Sequence, residues 1–227
     1  MTFTFRDWNK QQKALRTALA DVSAHAQAID LALSQHGWTH QAQVSRVKVS
    51  TFADRLWDGL DDEIARAIPP KAEHSIAWNL YHLARIEDTA MNMLIAGTLP
   101  VFDQENWMQA LGLTFSQSGN AMSDVEVEAL SRTIDLDALC RYRAAVGKRT
   151  REIICALSAE RLKKKVASES IQRIHQQDFI RPEAEEILKY WSNRTIDGLL
   201  LMPATRHNMV HLNECLRQKE KLIRSRK

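Results

Sequence analysis

A helical period in the apolar residues, sustained over four long stretches, constrains this chain more than any other feature. Leu15, Leu19, Val22, Ala26, Ile29 and Leu33 recur at steps of 4, 3, 4, 3 and 4, which keeps one apolar face along a single helix. The pattern predicts one helix over residues 7–36, with Asp7 as its N-cap and Gly37 as its stop. Comparable stretches cover 73–96, 135–157 and 194–222. Gly97 ends the second, Asp135 caps the third, and Pro203 sits inside the fourth, where it should kink the helix or mark its start. The sequence holds only 7 Gly and 5 Pro in 227 residues. An all-α chain is expected, read as a single helical domain over 1–227.

Several functions are excluded early. A net charge of +3 is too small to argue for nucleic acid, and the basic runs at 161–165 and 217–227 lack interleaved aromatics for base stacking. The longest strongly apolar run, 198–204, is far too short to span a bilayer. Met1 to Trp8 show no charged region followed by an apolar run, so a signal peptide is not expected. Cys140, Cys155 and Cys215 are an odd number without close spacing, which suits a reduced, cytoplasmic setting.

The chemistry concentrates on three histidines. His207 and His211 are four residues apart on the fourth stretch, so one imidazole lies above the other on one helix face. His82 falls in phase with Trp78, Ile86, Thr89 and Met93 and should point inward. Two imidazoles on one helix and a third from a facing helix can hold a borderline divalent ion with a coordination position left open. Taken alone, His82 also reads as a core histidine satisfied by one hydrogen bond.

Around this trio three residue sets leave more than one reading open. Glu214, three residues after His211, can orient a ligand imidazole, act as a base, or pair on the surface with Lys219 or Lys221. Cys215 reads as a small buried packing residue, with a fourth ligand or a reactive thiol as the alternative. Residues 98–134 form an insertion between the second and third long helices, much longer than the roughly 2–8 residues usual there. Its Phe102, Trp107 and Phe115 either close a satellite core or form a lid over the histidines.

The blocks Ser75-Ile76-Ala77-Trp78-Asn79-Leu80-Tyr81-His82-Leu83-Ala84-Arg85-Ile86-Glu87-Asp88 and Arg206-His207-Asn208-Met209-Val210-His211-Leu212-Asn213-Glu214, in this order, resemble the DinB superfamily of DinB/YfiT-like four-helix bundles. Leu60-Asp61-Asp62-Glu63 and Gly119-Asn120-Ala121-Met122-Ser123 are weaker echoes. The resemblance implies an up-down-down-up bundle with the insertion between its second and third helices. It also implies a divalent metal, zinc or nickel, on His82, His207 and His211, and a homodimer. Members with assigned activities are mostly metal-dependent transferases or isomerases that use a low-molecular-weight thiol. The expected function is activation of such a thiol, or of water, for transfer to or hydrolysis of a small-molecule substrate. The alternative is a non-catalytic metal- or small-molecule-binding bundle with a stress or scaffold role.

Overall fold

The computed structural model of this chain describes residues 3–226. Met1, Thr2 and Lys227, which belong to the N-terminal segment and basic tail discussed above, lie outside the described residues. The fold is helical, and among the described residues the only β-type pairing is an isolated bridge between Lys165 and Thr195. No helix among them is long and apolar enough to cross a membrane.

The first long stretch is two helices, not one. Helix α1 spans Phe5–Ala20 and α2 spans His25–Thr39, and they pack on each other. The chain turns at Asp21, whose carboxylate accepts from the Ser23 amide at 2.9 Å and the Ser23 hydroxyl at 2.7 Å. This local bond offers the backbone an alternative to continuing the helix. Val22, in phase with the apolar stripe, is left exposed. Thr4 is the N-cap, in a reciprocal capping box with Asp7, and α2 runs past Gly37 to Thr39.

Helix α3 covers Ile76–Thr89, capped by Ser75, and continues as a wider π-type turn over Ala90–Ala96 to Gly97, where φ is +73°. Every residue of Ile76–Thr89 is buried. The reason is that α3 feeds two cores. Ile86, Ala90 and Met93 join Leu15, Ala32, Ile153 and Leu199 in one. Ile76, Leu80 and Leu83 join Leu56, Tyr142, Val146 and Leu212 in the other. Each such side chain contributes about 1.5–3 kcal/mol by leaving water, so α3 can carry six polar or charged residues inside: Asn79, His82, Arg85, Glu87, Asp88 and Thr89.

Helix α4, Leu136–Cys155, starts at Asp135, whose side chain accepts from the Ala138 amide at 2.7 Å. The last stretch begins as a short helix over Ile196–Leu201, widens into a π-type turn over Met202–His207, and continues as α5, Asn208–Ser225. Pro203 brings no N–H to this turn. The Leu200 carbonyl accepts from the Thr205 hydroxyl at 2.8 Å and the Leu201 carbonyl from the Gln12 amide at 2.9 Å. Helix α3 packs against both α4 and α5.

Between α3 and α4, residues 98–134 hold short helices at Val101–Gln104 and Trp107–Ala110 and a longer one at Asp124–Thr133.

Candidate metal centre

His82, from the middle of α3, meets His207 and His211 at the start of α5. One ring nitrogen from each lies within 4.8 Å of the others, with ring centroids 4.7–5.2 Å apart. His82 is 4% exposed.

Neighbouring groups decide which nitrogens face inward. The His82 Nδ1 lies 2.9 Å from the Ser118 carbonyl. A carbonyl only accepts, so Nδ1 carries the proton and Nε2 is a bare lone pair. Asn79 does the same for His211. Its amide nitrogen donates to the Ser75 carbonyl at 3.0 Å, which turns Oδ1 toward His211 Nδ1 at 2.9 Å. Oδ1 also only accepts, so His211 Nε2 is bare. The Nε2 atoms of His82 and His207 are 3.1 Å apart. A bare lone pair at that distance from another ring nitrogen requires a proton or a cation between them. Two nitrogens on one tetrahedral zinc lie roughly 3.3 Å apart, given bonds of about 2.0–2.1 Å. The donor set fits a borderline divalent ion: three imidazoles, two with their tautomers fixed by a polar partner behind the ring.

Burial and the neighbouring imidazoles keep His82 and His207 uncharged. Burial pushes His82 down to about 3, and burial with His82 and His211 beside it holds His207 well below the usual histidine range. In the unfolded chain these rings titrate near 6.5. Between about 3 and 6.5 the unfolded state thus binds more protons than the folded one, and stability rises with pH across that window. The metal-free protein should lose melting temperature steadily from pH 7 to pH 4, with a flatter profile for His82→Gln. An unchanged melting temperature over that range would contradict the assignment.

A cleft of about 280 Å³ opens beside the trio. His82 and His207 form one wall, and Ile86, Ile187, Tyr190, Trp191, Met202 and Pro203 make it largely apolar, with Asn120 and Glu186 as its other polar groups. None of Phe102, Trp107 and Phe115 lines it. Phe102 and Trp107 pack on Tyr142, with ring centroids 5.6 and 5.3 Å away, and Phe115 meets Tyr81 edge-on at 5.9 Å. Phe102 and Trp107 belong to the core that Ile76, Leu80, Tyr142 and Leu212 form, with Phe115 packed against it, so these aromatics make neither a lid nor a satellite core of their own. The segment 98–134 reaches the site through Ser118 and Asn120 instead. Gly119 between them has φ +87°, and a Cβ there would touch the Trp78 indole at 3.4 Å. Trp107→Ala should cost about 3–5 kcal/mol in a denaturant titration and leave zinc affinity unchanged.

Glu214 stands behind His211, its Oε2 3.5 Å from Nδ1, and its Oε1 accepts from Gln218 at 3.3 Å. The His211 contact holds its carboxyl below the usual range against partial burial. Lys219 is engaged elsewhere, with the Arg55, Leu56 and Asp58 carbonyls. Cys215 is fully buried in the apolar core, and burial pushes its thiol up. His74 stacks on Trp78 with centroids 3.6 Å apart, and His25 bonds the Leu157 carbonyl at 2.8 Å.

The sequence reading missed Asn79 and Ser118, the partners that fix the rings. Asn79 lies three residues before His82 with no pattern to mark it, and Ser118 acts through its backbone. Asn79→Ala should weaken zinc binding about 10–100-fold in a competition titration, with the fold retained; unaltered affinity would refute its role.

Three converging imidazoles beside an apolar cleft, in a helical fold, form a group that could hold a divalent ion. The DinB superfamily model matches residues 52–215, a stretch that contains all three histidines, and the chain belongs to that superfamily. No curated protein matches it.

Proposed function

We propose that this protein is a metal-dependent enzyme, with zinc or nickel on His82, His207 and His211, that activates a low-molecular-weight thiol or water for transfer to, or hydrolysis of, a small substrate held in the adjoining cleft. The observation that carries the reading is the 3.1 Å approach of the His82 and His207 Nε2 atoms, with the His82 lone pair committed to that gap. When bound, the ion supplies Lewis acidity, lowering the pKa of a coordinated water or thiol toward neutrality.

This chain's own residues do the rest. Ser118 and Asn79 hold two rings in the ligating tautomer. Glu214, the proposed catalytic-site carboxylate, stands behind His211 and steadies it as charge develops, the positioning role among those open to it. Ile187, Tyr190, Trp191 and Met202 exclude water from one side of a substrate, and Asn120 offers it a hydrogen bond. The substrate class that fits is a small molecule with an apolar body.

Family membership supports the finer features of the reading. We take α2, α3, α4 and α5 as the four bundle helices of one domain, with residues 98–134 inserted between the second and third. A homodimer in the cytoplasm belongs to the same reading.

The test is metal analysis of the purified protein, followed by turnover screens with several cellular thiols and electrophiles in zinc- and nickel-loaded forms. Thiol- or water-dependent turnover that disappears in His211→Ala supports the proposal. Metal binding without turnover across the panel would favour the non-catalytic binding bundle.

A further inference from the structure

A second set of ligating side chains lies in the interior, and the mechanism above makes no use of it. His36 and His40 are four residues apart near the end of α2, with rings stacked 4.3 Å apart. Their Nε2 atoms meet the two oxygens of Glu87 on α3, at 2.9 and 3.0 Å. Side-chain exposures are 0%, 2% and 0% for His36, His40 and Glu87. One ligand atom from each lies within 4.8 Å of the others.

Two features distinguish this cluster from an ordinary buried hydrogen-bond network. The first is charge. Among the described residues no lysine or arginine nitrogen lies within 4.0 Å of Glu87. Arg143, the nearby cation, donates to the Thr39 carbonyl at 3.2 Å. Buried carboxylates ordinarily sit against a cation, organic or metallic.

The second feature is an unanswered oxygen. Asn208 donates its amide nitrogen to Glu87, and its Oδ1 is buried with no hydrogen-bond donor. The opposite amide orientation would set Oδ1 against the carboxylate, so the flip brings no relief. An acceptor oxygen on a group already bonded to a buried carboxylate is a ready ligand for a cation.

We propose that His36, His40 and Glu87, with the Asn208 amide beside them, form a second and structural divalent-metal site that clamps α2 to α3 and α5. Two imidazoles and a carboxylate suit zinc and its first-row neighbours. The site has no open face. An added Cβ on Gly147 of α4 would lie 2.5 Å from His40 Nδ1, so α4 walls that side. A closed site of this kind takes its metal during folding and does not exchange it quickly. The inference is independent of any catalytic role for the first trio.

The experiment counts zinc in protein expressed in zinc-supplemented medium, before and after prolonged dialysis of the native protein against EDTA. The wild type, the double variant His207→Ala/His211→Ala, and His36→Gln and His40→Gln are compared. The expected wild-type count is about two per chain as purified, falling to about one after EDTA, with release of the remainder on unfolding in guanidinium. The His207/His211 variant should hold about one EDTA-resistant zinc, and the His36 and His40 variants none. A wild-type count of one that survives EDTA and persists in the His207/His211 variant supports this site while contradicting the first. A count of one that is lost to EDTA, or that disappears in the His207/His211 variant, overturns the proposal. So does a count of zero. The wild-type counts before and after EDTA decide the matter even where a His36 or His40 variant fails to fold.

Discussion

His207→Ala is expected to abolish zinc binding at the open site and to leave a folded helical protein. Its ring centroid lies 5.0 Å from that of His82 and 4.7 Å from that of His211, with its Nε2 3.1 Å from that of His82. Without it, His82 and His211 remain as two ligands on different helices. The loss should exceed the 10–100-fold that removing a partner behind a ligand ring costs. Mass action turns this into a thermal shift. Free zinc at 100 times the dissociation constant stabilises the wild type by about 2.7 kcal/mol. At about 2–4 °C per kcal/mol for a chain of this size, the melting temperature rises by roughly 5–11 °C. In His207→Ala that rise should vanish while the EDTA-treated baseline stays near the wild type's. A variant that keeps the zinc-dependent rise would show that the ion binds elsewhere.

Asp88→Ala should be the most destabilising single substitution in the region around the site, at about 3–5 kcal/mol, the range for removing one partner of a buried ion pair. Asp88 and Arg85 are both fully buried on α3. The carboxylate accepts from Tyr142 Oη at 2.7 Å, from the Val101 and Phe102 amides at 2.8 and 2.9 Å, and from the Asn92 amide at 2.8 Å. Arg85 lies 3.5 Å away and also donates to the Ser116 carbonyl at 2.6 and 3.0 Å. One carboxylate thus ties the short helix at Val101–Gln104 to α3 and α4, and its removal strands a guanidinium and two backbone donors in the interior. Urea titration should show a lower midpoint with an unchanged slope. A loss under about 1 kcal/mol would mean that water replaces the carboxylate there.

The sequence made some of this legible and concealed the rest for identifiable reasons. Apolar periodicity gave the helical class, because every long helix hides at least one face. It failed at Asp21, where a side-chain bond to Ser23 ends a helix whose apolar spacing continues through Val22. The spacing of His207 and His211 survived because His207, the last residue of the π-type turn, already has helical backbone angles and α5 is regular from Asn208 through His211. The pairing with His82 needed the family resemblance, since helix spacing carries no information about which helices face each other. His36 and His40 offered the same four-residue signal and passed unread. Their partner Glu87 looked like one more charged residue on a helix, and burial is invisible in a sequence. The aromatics of residues 98–134 were legible as needing a packing partner. Phe102 and Trp107 find it in Tyr142, more than thirty residues downstream, and Phe115 in Tyr81.

The most direct measurement is a zinc-edge anomalous difference map from crystals of the zinc-loaded protein. The predicted result is a peak about 2.0–2.1 Å from the Nε2 atoms of His82, His207 and His211, on the cleft side of the rings, with the Ser118 carbonyl and Asn79 Oδ1 still bonded to the opposite nitrogens. Saturated crystals with no density between the three rings, or with His82 turned away from the pair, would contradict it.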